Sequence, residues 1–524
     1  MKRKVPDRKE SLSNYRIKGD IKMHRNSFRL LLLVVMLAFV AAISSGCAAS
    51  SGDGKASATT ASTSGGKLPV TTSSEDARKE YLQGRDLAER LLIQDSVQHF
   101  DKAIALDPTF AAAELGRATS SPTAKEFFEH LKKAVSLADK ASDGERYLIL
   151  ATEAGANGDV AKQKEYLDKL VAAYPNEERA HFNMGGYYFG QQDFEKAIAE
   201  YKKAIELNPN YSTAYNILGY AYRQTADYAN SEQAFKKYIE LIPNDPNPYD
   251  SYGELLLKMG KYEDSITQYR KALSVDSHFI NSHFAIAAAL TYLGKPDEAK
   301  AELQKILDDA RSDGERRTAL FGQAVVDVDN GKWDAALADM DKEYAVAEKI
   351  NDVANMTADL QTKGNILLEM GKYAEAKELF ERILKMTDGS NLSQKIKDNT
   401  KLFHHFNLAA VALVKKDNAT AKTEAEEFRK GAEASNNPGQ MRLAHQLAGT
   451  IALAEKDYDK AIAELEQTGQ QNPQNFYRLC QAYQGKGDKA KAKDYCAKAA
   501  EFNSLPQLNY AFIRAKAKKM ASSM

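Results

Sequence analysis

ERAHFNMGGYYFGQQDFEKAIAEYKKAIELNPNY (178–211) is followed directly by STAYNILGYAYRQTADYANSEQAFKKYIELIPND (212–245), PNPYDSYGELLLKMGKYEDSITQYRKALSVDSHF (246–279) and INSHFAIAAALTYLGKPDEAKAELQKILDDARSD (280–313). The four segments start 34 residues apart, at Glu178, Ser212, Pro246 and Ile280. Their eighth residues are Gly185, Gly219, Gly253 and Ala287, and their twentieth are Ala197, Ser231, Ser265 and Ala299. Their twenty-fourth are Tyr201, Phe235, Tyr269 and Leu303, and their twenty-seventh are Ala204, Tyr238, Ala272 and Ile306. Position 17 is aromatic in three units (Phe194, Tyr228, Tyr262). Each unit reads as two short amphipathic helices joined by a tight turn. A small residue at position 8 lets the first helix cross the second, and position 20 is its small partner. The bulky residue at 24 fills the gap between units, and the aromatic at 17 plugs the turn. Pro209 and Pro243 at position 32 end the second helix, because the residue before a proline avoids helical angles.

Spacing and positions together resemble the tetratricopeptide-repeat (TPR) family, whose period is 34 residues. Similar positions continue outward from the four units. They include Gly84, Phe100, Ala103 and Pro108 before them, and Trp333, Ala336, Gly364, Phe380, Ala409, Ala421, Gly449, Leu465, Cys480 and Cys496 after them. About twelve units are expected between Ala77 and Pro506. They are degenerate near 111–175, and their spacing loosens around 310–357 and 388–402. The fold class expected is an all-α superhelical solenoid over 77–506. The amphipathic tail 507–524 is expected to be a capping helix whose basic residues form a solvated face.

The resemblance also implies where partners bind. In TPR proteins, positions 2, 5, 9 and 12 of each unit face a concave groove. Here those positions supply Arg179, Phe182, Phe189, Asn216, Tyr220, Arg223, Asn247, Asp250 and Phe284 as candidate partner-groove residues. Aromatics bring contact area, and Asn and Arg can hydrogen-bond a peptide. Phe182, Phe189, Tyr220 and Arg223 cluster in adjacent units as a candidate hot spot, with the phenylalanines equally suited to plain packing. Some TPR modules clamp a chaperone's C-terminal carboxylate with several basic residues. Arg179 and Arg223, set against Asp250 and Glu254, are too few for that clamp.

The N-terminus has a different character. Ten Lys and Arg and three acids lie in 1–29, followed by the uncharged apolar run Leu30–Ile43 and then Ser44-Ser-Gly-Cys47-Ala-Ala. Basic, apolar, then small is the order of a secretory signal peptide. The approach to Cys47 resembles the lipobox of bacterial lipoproteins, whose cysteine is acylated and becomes the first mature residue. Ser44 departs from that pattern, where a leucine-like residue is usual. The expectation is a signal over 1–46, with a possible true start at Met23. Lipidated Cys47 then begins a Ser/Thr/Ala/Gly-rich flexible linker over 47–76. The alternatives are ordinary cleavage or an uncleaved anchor, since Leu30–Gly46 is 17 residues, at the short limit for ~30 Å of hydrocarbon. In each case the basic flank stays cytoplasmic and the body is exported. Ala48 after the cysteine favours the outer membrane under enterobacterial sorting rules, with the body in the periplasm.

Beyond residue 29 the chain holds 62 basic and 69 acidic residues, which gives no footprint for nucleic acid. The three cysteines, Cys47, Cys480 and Cys496, are too few for a disulfide framework or a four-cysteine zinc site. Cys480 and Cys496 fall at positions 8 and 24 of the last unit. They read either as a disulfide or as two small packing residues. His404 and His405 are adjacent and point apart on a helix, so they do not share a metal. No phosphate loop or nucleophile elbow appears. Signal, linker, repeats and tail use almost every residue, so no enzyme and no cofactor are expected. The functional expectation is an envelope-tethered scaffold that recruits other proteins to an assembly, secretion or export machine, its oligomeric state left open. The alternative is a carbohydrate- or small-ligand-binding envelope lipoprotein. Its long insertions are missing here, and the single tryptophan, Trp333, sits at a turn-packing position.

Overall fold

The computed structural model describes residues 66–524, except 91, 122–123, 158, 393, 436 and 470–471. The expected signal, Cys47 and the first part of the linker, 47–65, lie outside the described residues. Those described form helices and no strand. Twelve antiparallel pairs follow one another: α1 (Glu75–Glu89) with α2 (Ile93–Leu106), α3 (Ala111–Thr119) with α4 (Ala124–Leu137), α5 (Asp143–Asn157) with α6 (Val160–Ala173), α7 (Glu178–Gly190) with α8 (Phe194–Leu207), α9 (Ser212–Gln224) with α10 (Tyr228–Leu241), and α11 (Asn247–Lys258) with α12 (Tyr262–Val275). The second half runs α13 (Ile280–Tyr292) with α14 (Pro296–Asp308), α15 (Asp313–Asp329) with α16 (Trp333–Lys349), α17 (Val353–Glu369) with α18 (Tyr373–Asp388), α19 (Gln394–Lys415) with α20 (Asn418–Ala434), α21 (Pro438–Ala454) with α22 (Tyr458–Leu465), and α23 (Pro473–Lys486) with α24 (Lys489–Ala500). Each helix packs on its partner and on the next pair, so the chain is an all-α solenoid.

The small residue at position 8 lies against the large one at position 24 of its own pair. A Cβ on Gly185 would stand 2.6 Å from the Tyr201 ring, and one on Gly364 would stand 2.3 Å from the Phe380 ring. The same ring also reaches the next pair: Phe100 lies 2.5 Å from where a Cβ on Gly116 would be. Position 24 therefore fills both gaps, and Tyr201, Phe235 and Tyr269 are fully buried.

The turn inside eight of the pairs uses one of two local solutions. In one, a left-handed glycine (Gly260, Gly294, Gly331, Gly371) precedes a lysine whose side chain makes no cap. In the other, a left-handed non-glycine (Gln192, Ala226, Lys416, Lys456) precedes an aspartate that accepts the backbone N–H three residues on. A left-handed non-glycine costs about 1 kcal/mol or more. An aspartate N-cap returns about 1 kcal/mol, so the second solution roughly offsets its own strain.

The second helices end whether or not proline stands at position 32. α8 ends at Leu207 before Pro209, and α12 ends at Val275 before Ser277. Asn208 and Asp276 at position 31 each accept the N–H two residues on, at 3.1 and 2.9 Å. That local turn stops the helix. The loosened spacing after residue 310 comes from helix length. α15, α16 and α17 have 17 residues each and α19 has 22, against 13 in α7 and 14 in α8.

Both ends of the described chain fold back on the solenoid. The Leu68 N–H donates to Glu177 at 2.9 Å, the Thr71 N–H to Glu145 at 2.9 Å, and the Thr72 hydroxyl to Asp107 at 2.6 Å. Lys67 pairs with Glu178. The stretch expected as linker is thus held from Lys67 onward. The tail expected to be one capping helix is two, α25 (Leu508–Ala511) and α26 (Arg514–Ser522). α26 covers α24 as a cap would, while α25 packs against α15, and Tyr510, Phe512 and Ile513 are buried there. Arg514, expected on a solvated face, is instead paired with Asp329. Among the described residues no helix is long and apolar enough to cross a membrane.

Candidate functional site

The first helices α7, α9, α11 and α13 carry the predicted groove positions, and several of their polar members bond between neighbouring first helices. Asn216 Nδ2 donates to Asn247 Oδ1 at 3.4 Å. The Tyr220 hydroxyl donates to Glu254 Oε2 at 3.0 Å, and Arg223 Nη1 to Glu254 Oε1 at 2.5 Å. The Arg223 guanidinium lies 4.7 Å over the Tyr220 ring. The Ser282 hydroxyl donates to Asp250 at 2.6 Å. Burial pushes the Asp250 carboxyl up to about 7, with the nearby Glu254 charge adding and the Ser282 hydrogen bond opposing. Arg179 joins from α7: Nε donates to Glu89 at 2.7 Å, Nη1 to Glu178 at 2.9 Å, and the guanidinium lies 5.6 Å over the Tyr211 ring.

These polar groups are largely covered. The end of α1 closes over them, with Arg90 bonded twice to Asp245 at 3.0 and 2.9 Å and the Thr213 hydroxyl bonded to the Glu89 carbonyl. Asn216 is almost fully buried, while Arg179, Tyr220, Arg223, Asn247 and Asp250 are half-buried. The phenylalanines serve packing. Phe189 is 2% exposed and meets Phe194, Phe182 packs on Tyr201 and Tyr211, and Phe284 lies 2.8 Å from where a Cβ on Gly322 would be. Cys480 and Cys496, on α23 and α24, are joined as a disulfide with Cα atoms 5.1 Å apart.

Sequence reasoning did not find the histidine clasps. Position 4 of four pairs is His181, His283, His405 or His445, and each Nδ1 lies 2.5–2.7 Å from a glutamate 19 residues later, on the second helix. His181 and His283 also place Nε2 on the Pro175 and Ser277 carbonyls, at 3.0 and 3.2 Å. A count of His and Glu at that separation would have revealed the pattern. No group of three His, Cys, Asp or Glu among the described residues could hold a metal ion.

Family models described as "TPR repeat" match residues 185–226 and 253–294, and those described as "Tetratricopeptide repeat" match 212–245 and 360–388. The matched segments are TPR repeats, and they lie within an all-α solenoid of paired, TPR-like helices. Among solved structures, yeast Tom70 is 17% identical, with 75% of this chain and 93% of Tom70 covered at a TM-score of 0.45. A TPR protein from Parabacteroides merdae is 14% identical over 58% of this chain and 98% of its own, with a TM-score of 0.32. MamA from Desulfovibrio magneticus, residue 41 onward, is 17% identical over 33% and 99%, with a TM-score of 0.29. No curated protein sequence matches the chain.

Proposed function

We propose that this TPR solenoid is a protein-interaction scaffold, without catalysis of its own, that recruits partner proteins to an assembly, secretion or export machine of a bacterial cell envelope. The observation that supports it most is the set of polar groups Arg179, Tyr220, Arg223 and Asp250 on neighbouring first helices. It offers charged, amide and aromatic groups along four successive first helices, the mixture that suits a polypeptide segment. In this reading the chain is exported, lipidated at Cys47 and held at a membrane, the outer one being favoured, with the solenoid in the periplasm. The Cys480–Cys496 bond supports export, since disulfides persist in oxidising compartments. The membrane half is tested by metabolic labelling with a fatty-acid probe. The chain should take up label and fractionate with membranes, and Cys47→Ser should abolish both. Membrane retention of unlabelled Cys47→Ser would instead assign the anchor to Leu30–Gly46.

A further inference from the structure

Residues 502–516 lie against the central pairs, more than a hundred residues away in sequence, and are held there by polar and aromatic contacts. Lys258 Nζ donates to the Phe502 carbonyl at 2.6 Å and sits 4.3 Å over the Phe502 ring. The Tyr262 hydroxyl donates to Asn503 Oδ1 at 2.8 Å, and the Tyr292 hydroxyl donates to the Ser504 carbonyl. The Tyr510 and Tyr292 ring centroids are 5.5 Å apart, and Phe512 stacks on Trp333 at 6.3 Å and 21°. Arg514 Nε donates to Asp329 at 2.7 Å, and Lys516 Nζ to Glu369 at 2.8 Å.

This segment differs from the repeats it covers. Pairs with glycine at position 8 close against the residue at position 24, whereas Tyr510, Phe512 and Ile513 of the segment join Val325, Met340 and Ile366 of the pairs it covers in one apolar cluster. The segment leaves α24 through Asn503, a left-handed non-glycine, and 504–507 contain no helix, so a bend separates it from the solenoid. Tyr510, Phe512 and Arg514 meet a tyrosine, a tryptophan and an aspartate supplied by α13, α16 and α15, and Ala511 and Ile513 between them are buried as well. Two aromatic faces followed by a carboxylate form a recognition surface with a readable ligand pattern.

We propose that this central groove is a docking site for a partner segment carrying the pattern aromatic-x-aromatic-x-arginine, and that residues 502–516 occupy it in cis. The inference rests on the scaffold reading. The tail keeps the groove closed until a partner segment of the same chemistry displaces it. A segment tethered this closely acts at millimolar effective concentration, so an isolated peptide competes poorly with it.

The test uses the full chain and a synthetic peptide of residues 500–518. Phe512→Ala with Arg514→Glu should free the groove and bind the peptide about tenfold or more tighter than the unsubstituted chain. Adding Asp329→Arg should abolish that binding, and a peptide with Arg514→Glu should restore it. A tail variant with unchanged helical content and no gain in peptide affinity would overturn the proposal. Hydrogen exchange on the unsubstituted chain keeps the question decidable if the variant misfolds. Amides of 508–516 should exchange faster than those of α13 and α15. Exchange only together with those helices would make the tail a permanent part of the core. A dimer that exchanges tails, seen by light scattering of mixed wild-type and tail-variant chains, would also overturn closure in cis. In-cell crosslinks from the predicted groove positions that persist without peptide binding would leave the scaffold reading standing and sink this inference alone.

Discussion

The ring of Phe235 lies 2.8 Å from the point where a Cβ on Gly219 would stand. The two residues sit 16 apart on α9 and α10, and Phe235 has no exposed surface. Any side chain at 219 must move that ring. Gly219→Leu should therefore destabilise the solenoid by about 1–3 kcal/mol or more. Thermal melting checks this, and an unchanged midpoint would break the assignment of position 8.

Arg223 and Glu254 join α9 to α11, and both are largely shielded, with side-chain exposures of 10% and 22%. Truncating one partner leaves the other charge poorly solvated. Arg223→Ala should cost about 3 kcal/mol, by the usual effect of breaking a shielded pair. Glu254→Gln in the same chain should recover part of that loss. Equal melting curves for Arg223→Ala and wild type would show that the pair carries no stability.

His181 donates toward two acceptors, the Glu200 carboxylate and the Pro175 carbonyl, so only the imidazolium satisfies both. The Glu200 hydrogen bond raises its pKa, against burial and the charge of nearby Lys203. A histidine raised on folding contributes stability that is complete below its unfolded pKa of about 6.5 and is lost as pH rises through the folded value. Denaturant midpoints should fall across that window. His181→Gln should fall less, and a variant tracking wild type at every pH would refute the clasp.

Asp250 runs the other way from an ordinary carboxylate. Its pKa is raised to about 7, chiefly by burial, so its proton is bound in the native state up to near neutrality and must be shed above it. The native state therefore loses stability as pH rises from the usual aspartate range near 4 to about 7. Asp250→Asn removes that loss while keeping an acceptor for Ser282. Its melting midpoint should exceed wild type at pH about 8.5, with the gain gone below the usual aspartate range near 4. A gain independent of pH would contradict the burial of an ionisable group there.

The repeat was legible because its markers are steric. Gly185, Gly219 and Gly253 against Tyr201, Phe235 and Tyr269 recur at fixed spacing, and a fixed spacing can be read without coordinates. The longer pairs were harder to read. Extending α15 to α17 to 17 residues moves every marker off the 34-residue register without adding a loop. The groove positions were read from the register alone. The bonds of Tyr220 and Arg223 to Glu254, and the closure of α1 through Arg90 and Asp245, join separate helices, which no local pattern encodes. The fold-back of Arg514 onto Asp329 has the same cause, being a pairing across 185 residues between two singly occurring side chains.

The central claim, that the inner face receives protein partners, is tested most directly by photocrosslinking in living cells. A photoreactive residue is placed at Asn281, which is exposed at a groove position of α13, and as a control at the exposed Lys236 of α10. The account predicts discrete protein adducts from position 281 that are absent from position 236. No adduct from 281, or the same adducts from both positions, would contradict it.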